Sequence, residues 1–171
     1  TLAVETASGD ISAEKVRNGC IISVASGDVD LKDVKGGAVI EALSGDVELE
    51  RIGGRLEIKV TSGDVEITDA YGDVRAFTAS GDLYVEAAPE EGPREYKLGT
   101  SGGDLTLIFS RVLSEGFVLK AGTTTGNFEL DLPIQISGMS RQRVSGIVRE
   151  GKSRVLIETS SGDITIKEKG A

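Results

Sequence analysis

Apolar and polar residues alternate along most of the chain, and the alternation changes phase at fixed intervals. In blocks of 18 residues, the second position reads Leu2, Cys20, Ala38, Leu56, Val74. The fourth reads Val4, Ile22, Ile40, Ile58, Ala76, and the sixth Thr6, Val24, Ala42, Val60, Thr78. Odd positions then take over: Ile11, Val29, Val47, Val65, Leu83, followed by Ala13, Leu31, Leu49, Ile67, Val85. Charged or small residues stand between them, among them Glu5, Glu41, Lys59, Asp30, Glu48 and Glu66. Such period-2 alternation predicts half-buried strands. The one-residue phase shift predicts a corner that lets two strands face one core. A second bend falls at Asn18-Gly19, Gly36-Gly37, Gly53-Gly54 and Tyr71-Gly72.

The corner has a constant composition. It reads Ser8-Gly9-Asp10, Ser26-Gly27-Asp28, Ser44-Gly45-Asp46, Ser62-Gly63-Asp64 and Ser80-Gly81-Asp82. Variants follow at Gly102-Gly103-Asp104, Thr125-Gly126-Asn127 and Ser161-Gly162-Asp163. A fixed period of this size is the mark of a repeat architecture. Two arrangements fit strand, corner, strand: a stack of antiparallel hairpins, or a solenoid whose coils stack at about 4.8 Å. Columns of like residues favour the solenoid. The predicted fold is all-β: a single-stranded β-solenoid, right-handed and β-helix-like by the usual crossover rule, of about eight coils with an 18-residue repeat. It forms one domain over residues 1–171, with regular coils over 1–88, irregular coils over 89–153 and a closing coil over 154–171.

The irregular part begins with a turn-rich bulge, Pro89–Pro93. Tyr96, Leu98, Thr100, Leu105 and Leu107 restore the pattern, and Ile108–Gly116 reads as a longer connection with room for one helical turn. A further coil runs through Leu119, Ala121, Thr123, Phe128 and Leu130. Pro133–Ser153 then breaks the period, with Ser145-Gly146 as the remnant of a lost corner. Lys167-Glu168-Lys169 is expected to give the far end of the rod a polar edge that discourages strand pairing.

Glycine at 23 of 171 residues fits a chain that uses one or two per coil on bends, and the scarcity of aromatics with abundant Val, Ile, Leu and Thr suits strands. The net charge of −9 is uneven: residues 1–92 hold 8 basic and 19 acidic residues, residues 93–171 hold 11 and 9. An acidic body argues against nucleic acid as the partner, which needs a basic face. Cys20, the sole cysteine, occupies an apolar column and is expected to be buried and inert. No apolar run approaches the roughly 20 residues of a membrane helix, so membrane attachment is expected only through a segment outside this sequence. The start at Thr1, within a repeat, suggests an excised domain.

The Asp column is the first candidate for chemistry. Carboxylates one rung apart repel by roughly 1 kcal/mol in water, and either local hydrogen bonds or Ca²⁺ would offset this. Ca²⁺-binding solenoids carry Gly-rich runs every nine residues or so, which this chain lacks. Asn127 in the column also favours hydrogen bonding. No cofactor is expected; Asp10, Asp28, Asp46, Asp64 and Asp82 remain the Ca²⁺ candidates. The Thr column and the corner Ser residues read as hydroxyl ladders. No nucleophile can be argued, because there is no His to act as base and no Ser stands apart. The one basic stretch is Leu132–Arg154, where Arg141, Arg143, Arg149, Lys152 and Arg154 stand against Glu150. It reads as a solvated excursion, or as a docking patch for an acidic protein, a polyanionic surface polymer or the acidic face of a second copy. Phe77, Tyr84 and Tyr71 are the aromatics expected to point outward near one another.

The recurring Ser-Gly-Asp-[Ile/Val] pattern, closed by Leu156 to Ile166 with Ser161-Gly162-Asp163 inside it, resembles the bacterial DUF4097 family of adhesin-labelled proteins. The resemblance implies a right-handed β-helix-like domain held outside the membrane by envelope proteins, with no enzymatic activity and no catalytic residues to carry over. The expected function is therefore a non-enzymatic β-solenoid of the bacterial cell envelope, an adhesin or a surface-interaction or sensory accessory domain. The rivals are a self-assembling, bactofilin-like rod stacked through open ends and, less favoured, a carbohydrate-active enzyme on a β-helix.

Overall fold

Each Ser-Gly-Asp corner joins two strands, and the period-2 pattern decides which side of each strand is buried. A computed structural model describes residues 1–110 and 115–169. The first five coils are β1 (Leu2–Thr6) and β2 (Ile11–Glu14), β3 (Cys20–Ser26) and β4 (Val29–Val34), β5 (Ala38–Ser44) and β6 (Val47–Ile52), β7 (Leu56–Ser62) and β8 (Val65–Ala70), and β9 (Val74–Ser80) and β10 (Leu83–Ala87). Then come β11 (Glu95–Gly102) and β12 (Leu105–Phe109), β13 (Phe117–Thr125) and β14 (Phe128–Asp131), β15 (Gln135–Met139), β16 (Arg143–Val148), and β17 (Ser153–Ser161) and β18 (Ile164–Glu168). The strands before the corners form one sheet and those after form another. Within the solenoid, neighbouring coils pair in parallel with equivalent residues aligned, as in Leu56↔Val74 and Val47↔Val65. The fold is thus an all-β solenoid.

The core lies between the two sheets. Ile22, Ile40, Leu56, Leu31, Leu49 and Ile67 are all buried, and Cys20 with them. Burying an aliphatic side chain of this kind contributes about 1.5–3 kcal/mol, and no single coil could bury its own. Burial also pushes the Cys20 thiol pKa up, which keeps it a protonated, weakly reactive group.

Before the bend at Asn18-Gly19 and its equivalents, each of the first four coils carries a further kink that the alternation alone does not announce. Lys15, Asp33, Arg51 and Asp69 have φ of 53–59°. Two successive residues therefore face outward, and Val34, Ile52 and Ala70 turn into the core. The column alternates in charge. Arg51 donates to both carboxylate oxygens of Asp33, at 2.6 and 3.1 Å. That pair holds the Asp33 carboxyl below its ordinary range, chiefly through the hydrogen bond. The fifth coil drops this extra residue, so that Ala87 pairs with Ala70.

The order of the coils corrects the expectation of simple succession. The first sheet runs β1-β3-β5-β7-β9-β11-β17-β13-β16-β15, and the second ends β10-β12-β18-β14. The closing coil is inserted between the two that precede it: Val155 pairs with Tyr96 on one side and Leu119 on the other. The Lys167-Glu168-Lys169 segment accordingly lies within the second sheet and is not a polar end: Lys167 pairs with both Ile108 and Asp131. The outermost coil is β13–β14. Ser145-Gly146 is no remnant corner either. It lies inside β16, which with β15 forms an antiparallel hairpin along the free edge of β13. The longer connection expected over Ile108–Gly116 spans two rungs; its helical turn would fall on 111–114, outside the described residues. Beneath the insertion, Tyr96, Phe109 and Phe117 pack edge-to-face and stacked, at centroid distances of 5.6 and 4.9 Å.

Candidate functional site

The corner ladder is a hydrogen-bonded column. The Oδ1 atom of each Asp accepts the backbone N–H of the Asp one rung on: Asp28 to Asp10 at 3.0 Å, Asp46 to Asp28 at 2.9 Å, Asp64 to Asp46 at 2.9 Å and Asp82 to Asp64 at 2.7 Å. The column continues through Asp104, Asp163 and Asn127, at 2.8 Å each time. It thereby follows the inserted order of the coils. Asn127 ends it, adding a side-chain bond from Nδ2 to Asp163 Oδ1 at 3.2 Å. A bond to a charged acceptor is worth about 1.5–3 kcal/mol, against roughly 1 kcal/mol of repulsion per neighbouring pair in water. The bond wins, although exposure trims both.

The inward Thr hydroxyls lock the same corners. Thr78, Thr100, Thr123 and Thr159 donate to the carbonyls of Gly63, Gly81, Gly162 and Gly103 at 3.0–3.3 Å. Among the described residues no group of three or more His, Cys, Asp or Glu is arranged to hold a metal. With Oδ1 of each Asp already committed, a thermal melt in millimolar Ca²⁺ is expected to match one in EDTA. A Ca²⁺-dependent rise of several degrees would reassign the column to metal binding.

The five basic residues of Leu132–Arg154 fall at two ends of one strand pair. Arg143 pairs with Gly122, and Arg141 lies beside it in the hairpin turn. Arg149, Lys152 and Arg154 lie at the other end, near Phe117 and Val118. Five residues of strand, roughly 17 Å, separate the two groups. Lys152 is taken up by Glu115 at 2.9 Å and Glu150 at 3.4 Å.

The outer face of the first sheet gathers further cations that sequence reasoning missed. Arg75, Lys97 and Lys120 project there beside Arg143 and Arg154. Their signal was present as the outward column of the strands before each corner, which reads Ile21, Val39, Glu57 in the early coils and Arg75, Lys97 later. Arg75 donates to Glu95 at 2.9 Å, and the guanidinium holds the Glu95 carboxyl below its usual range. The outer face of the second sheet has the opposite sign, with Asp30, Glu48 and Glu66 in register. The expected aromatic cluster does not form. Phe77 lies on the outer face of the first sheet, Tyr84 on that of the second, and Tyr71 at a bend between them.

A groove of about 740 Å³ crosses the first sheet's outer face over β7 to β13 and is bounded by the start of β16. One row of its lining runs Lys59, Phe77, Gly99, Glu158, Gly122, Arg143 across successive strands. Glu158 thus stands between two glycines, without a side-chain neighbour on either side. The row exists only because β17 is inserted between β11 and β13.

No curated protein and no solved structure matches the chain. The model of the Toastrack DUF4097 family matches residues 1–167. With that match over nearly its whole length, and with the Ser-Gly-Asp ladder and two-sheet solenoid described above, the chain belongs to the Toastrack DUF4097 family.

Proposed function

We propose that the chain is a non-enzymatic interaction module of the bacterial cell envelope, a rigid rod that holds one outer face toward a surface polymer or protein. The observation that carries this reading is the separation of charge between the two sheets. Acidic residues line the second sheet in register, while the later coils of the first sheet present Lys97, Lys120, Arg143 and Arg154 around a groove. Eight stacked coils make a platform roughly 34 Å long, which suits extended contact with a repeating partner. The Asp and Thr columns are spent on the backbone, which supports a structural role for those recurring residues.

End-to-end self-assembly fits less well. The β15–β16 hairpin occupies the edge of β13 that a stacking copy would need. Its own outer strand is interrupted by a register shift between Ile136 and Gly138, a device that makes an edge a poor template.

The test is co-sedimentation of the purified chain with isolated bacterial envelopes, with fractionation and protease accessibility of the native protein on intact cells. The chain is expected to pellet with envelopes and to be released as salt rises. A chain that stays in the supernatant at low salt, or a native protein confined to the cytoplasm, would overturn the reading.

A further inference from the structure

We infer that the groove on the first sheet binds an acidic oligosaccharide, a chain of hydroxylated rings bearing carboxylates. The inference rests on the interaction-module reading and names its ligand class. Three kinds of chemistry meet in the groove, and this class of ligand uses all three.

The first is an apolar platform. Phe77 is 43% exposed although it sits in the middle of a sheet. Gly99 makes this possible: a Cβ there would stand 3.1 Å from the Phe77 ring, so the ring leans over bare backbone and leaves its other side to the groove. Shielding a glycine is one use of such a ring. A flat aromatic surface in a groove also offers a stacking partner for the C–H face of a sugar ring.

The second is unpaired positive charge. Lys59, Lys97 and Arg143 line the groove, and none is in an ion pair among the described residues, whereas Arg75 is paired with Glu95. Three open cations around a groove in a protein of net charge −9 point to a small or linear anionic ligand. They are too few for nucleic acid.

The third is a set of hydroxyl-binding groups. Glu158 stands alone on the floor between Gly99 and Gly122, with no cation paired to it among the described residues. Ser160 and Gln142 line the same space. Glu57, the other carboxylate of the lining, is paired with Arg55 at 3.6 Å; the unpaired Glu158 would repel a plain polyanion, but it accepts hydrogen bonds from the hydroxyls of a carbohydrate. The row from Phe77 to Arg143 crosses four strand spacings, roughly 19 Å, and the groove volume lies within the usual range for ligand sites. The floor is a sheet face whose backbone is already paired, so an added peptide strand has no edge to join there.

The test is calorimetric titration with tetragalacturonate, with maltotetraose as the neutral sugar and a short polyglutamate as the acid without hydroxyls. Tetragalacturonate is expected to bind, with affinity falling as salt rises, and the other two to bind at least about tenfold more weakly. Phe77→Ala and Lys97→Glu should each weaken binding about tenfold. Phe77→Tyr should retain it, and Lys35→Glu, outside the groove, should leave it unchanged. Lys97→Glu and Glu158→Gln are exposed and test the site even if Phe77→Ala disturbs the fold; Glu158→Gln should weaken the sugar acid but not polyglutamate. The inference is overturned if tetragalacturonate does not bind, if the groove variants bind it as wild type does, or if either control binds equally well. If the chain pellets with envelopes while tetragalacturonate fails, only this inference falls. If the sugar binds but the native protein is cytoplasmic, only the envelope reading falls.

Discussion

Gly63→Ala is expected to cost about 3–5 kcal/mol of folding stability, while the same change at Gly9 costs about 1–2 kcal/mol. The two glycines occupy equivalent corners and share the same backbone demand: φ is +142° at Gly63 and +117° at Gly9. They differ in what a side chain would meet. A Cβ on Gly63 would lie 2.0 Å from the carbonyl oxygen of Gly45, one rung below, whereas a Cβ on Gly9 meets nothing within 4 Å. The dihedral strain is common to both, and the steric term falls on Gly63 alone. Since that contact is with backbone, it can be relieved only by pushing two rungs apart, which lengthens the Asp64-to-Asp46 bond of 2.9 Å. Urea unfolding followed by circular dichroism measures the difference. Gly92→Ala is a second control, with φ of +105° and open space around it. Equal losses at Gly63 and Gly9 would show that the corner glycines are selected for conformation alone and that rung spacing plays no part. Against a typical domain stability of about 5–15 kcal/mol, the loss expected at Gly63 is large enough to threaten folding.

The corners and the two buried faces were legible in the sequence because each imposes a local rule. Only glycine tolerates the corner backbone, and the inward column must be apolar in every coil, as Cys20, Ala38, Leu56 and Val74 illustrate. The positive-φ kink before the second bend was harder to see. Its residues, Lys15, Asp33, Arg51 and Asp69, share no type: Asp is enriched at positive φ but Lys and Arg are not, so the only common trace was an apolar residue one place out of phase at Val34, Ile52 and Ala70. The order of the last coils was not legible, because a periodic column is degenerate: Val155 stacks as well on Tyr96 as on Leu119. Asn127 was a clue of a kind. Among the described residues it is the rung on which no further ladder N–H arrives, so a carboxylate there would have no such bond to accept. The groove was hidden for the same reason as the order. Gly99, Glu158 and Gly122 are far apart in the chain and become neighbours only through the insertion.

The insertion makes a prediction that simple stacking does not. A chain shortened to end at Lys152 loses β17 and β18, and with them the buried Val155, Ile157, Ile164 and Ile166. At about 1.5–3 kcal/mol each, these four contribute roughly 6–12 kcal/mol. If the closing coil lay at the end of the rod, its removal would leave the rest intact, because stability in a solenoid is a sum over neighbours. Here it lies between β11 and β13, so both lose a partner, and the gap of two rungs, about 9.6 Å, is too wide for backbone hydrogen bonds. Residues 117–148 are therefore expected to lose amide-exchange protection and to be cut readily by protease. Residues 1–109 should stay folded, with the Asp ladder intact as far as Asp104. A synthetic peptide spanning 153–169 should restore protection to 117–148 when added in excess, by filling the vacant rung. Retained protection of 117–148 in the shortened chain would mean that β13 can close directly onto β11. In that case the inserted coil would be a replaceable spacer and not the element that holds the last third of the molecule to the first two.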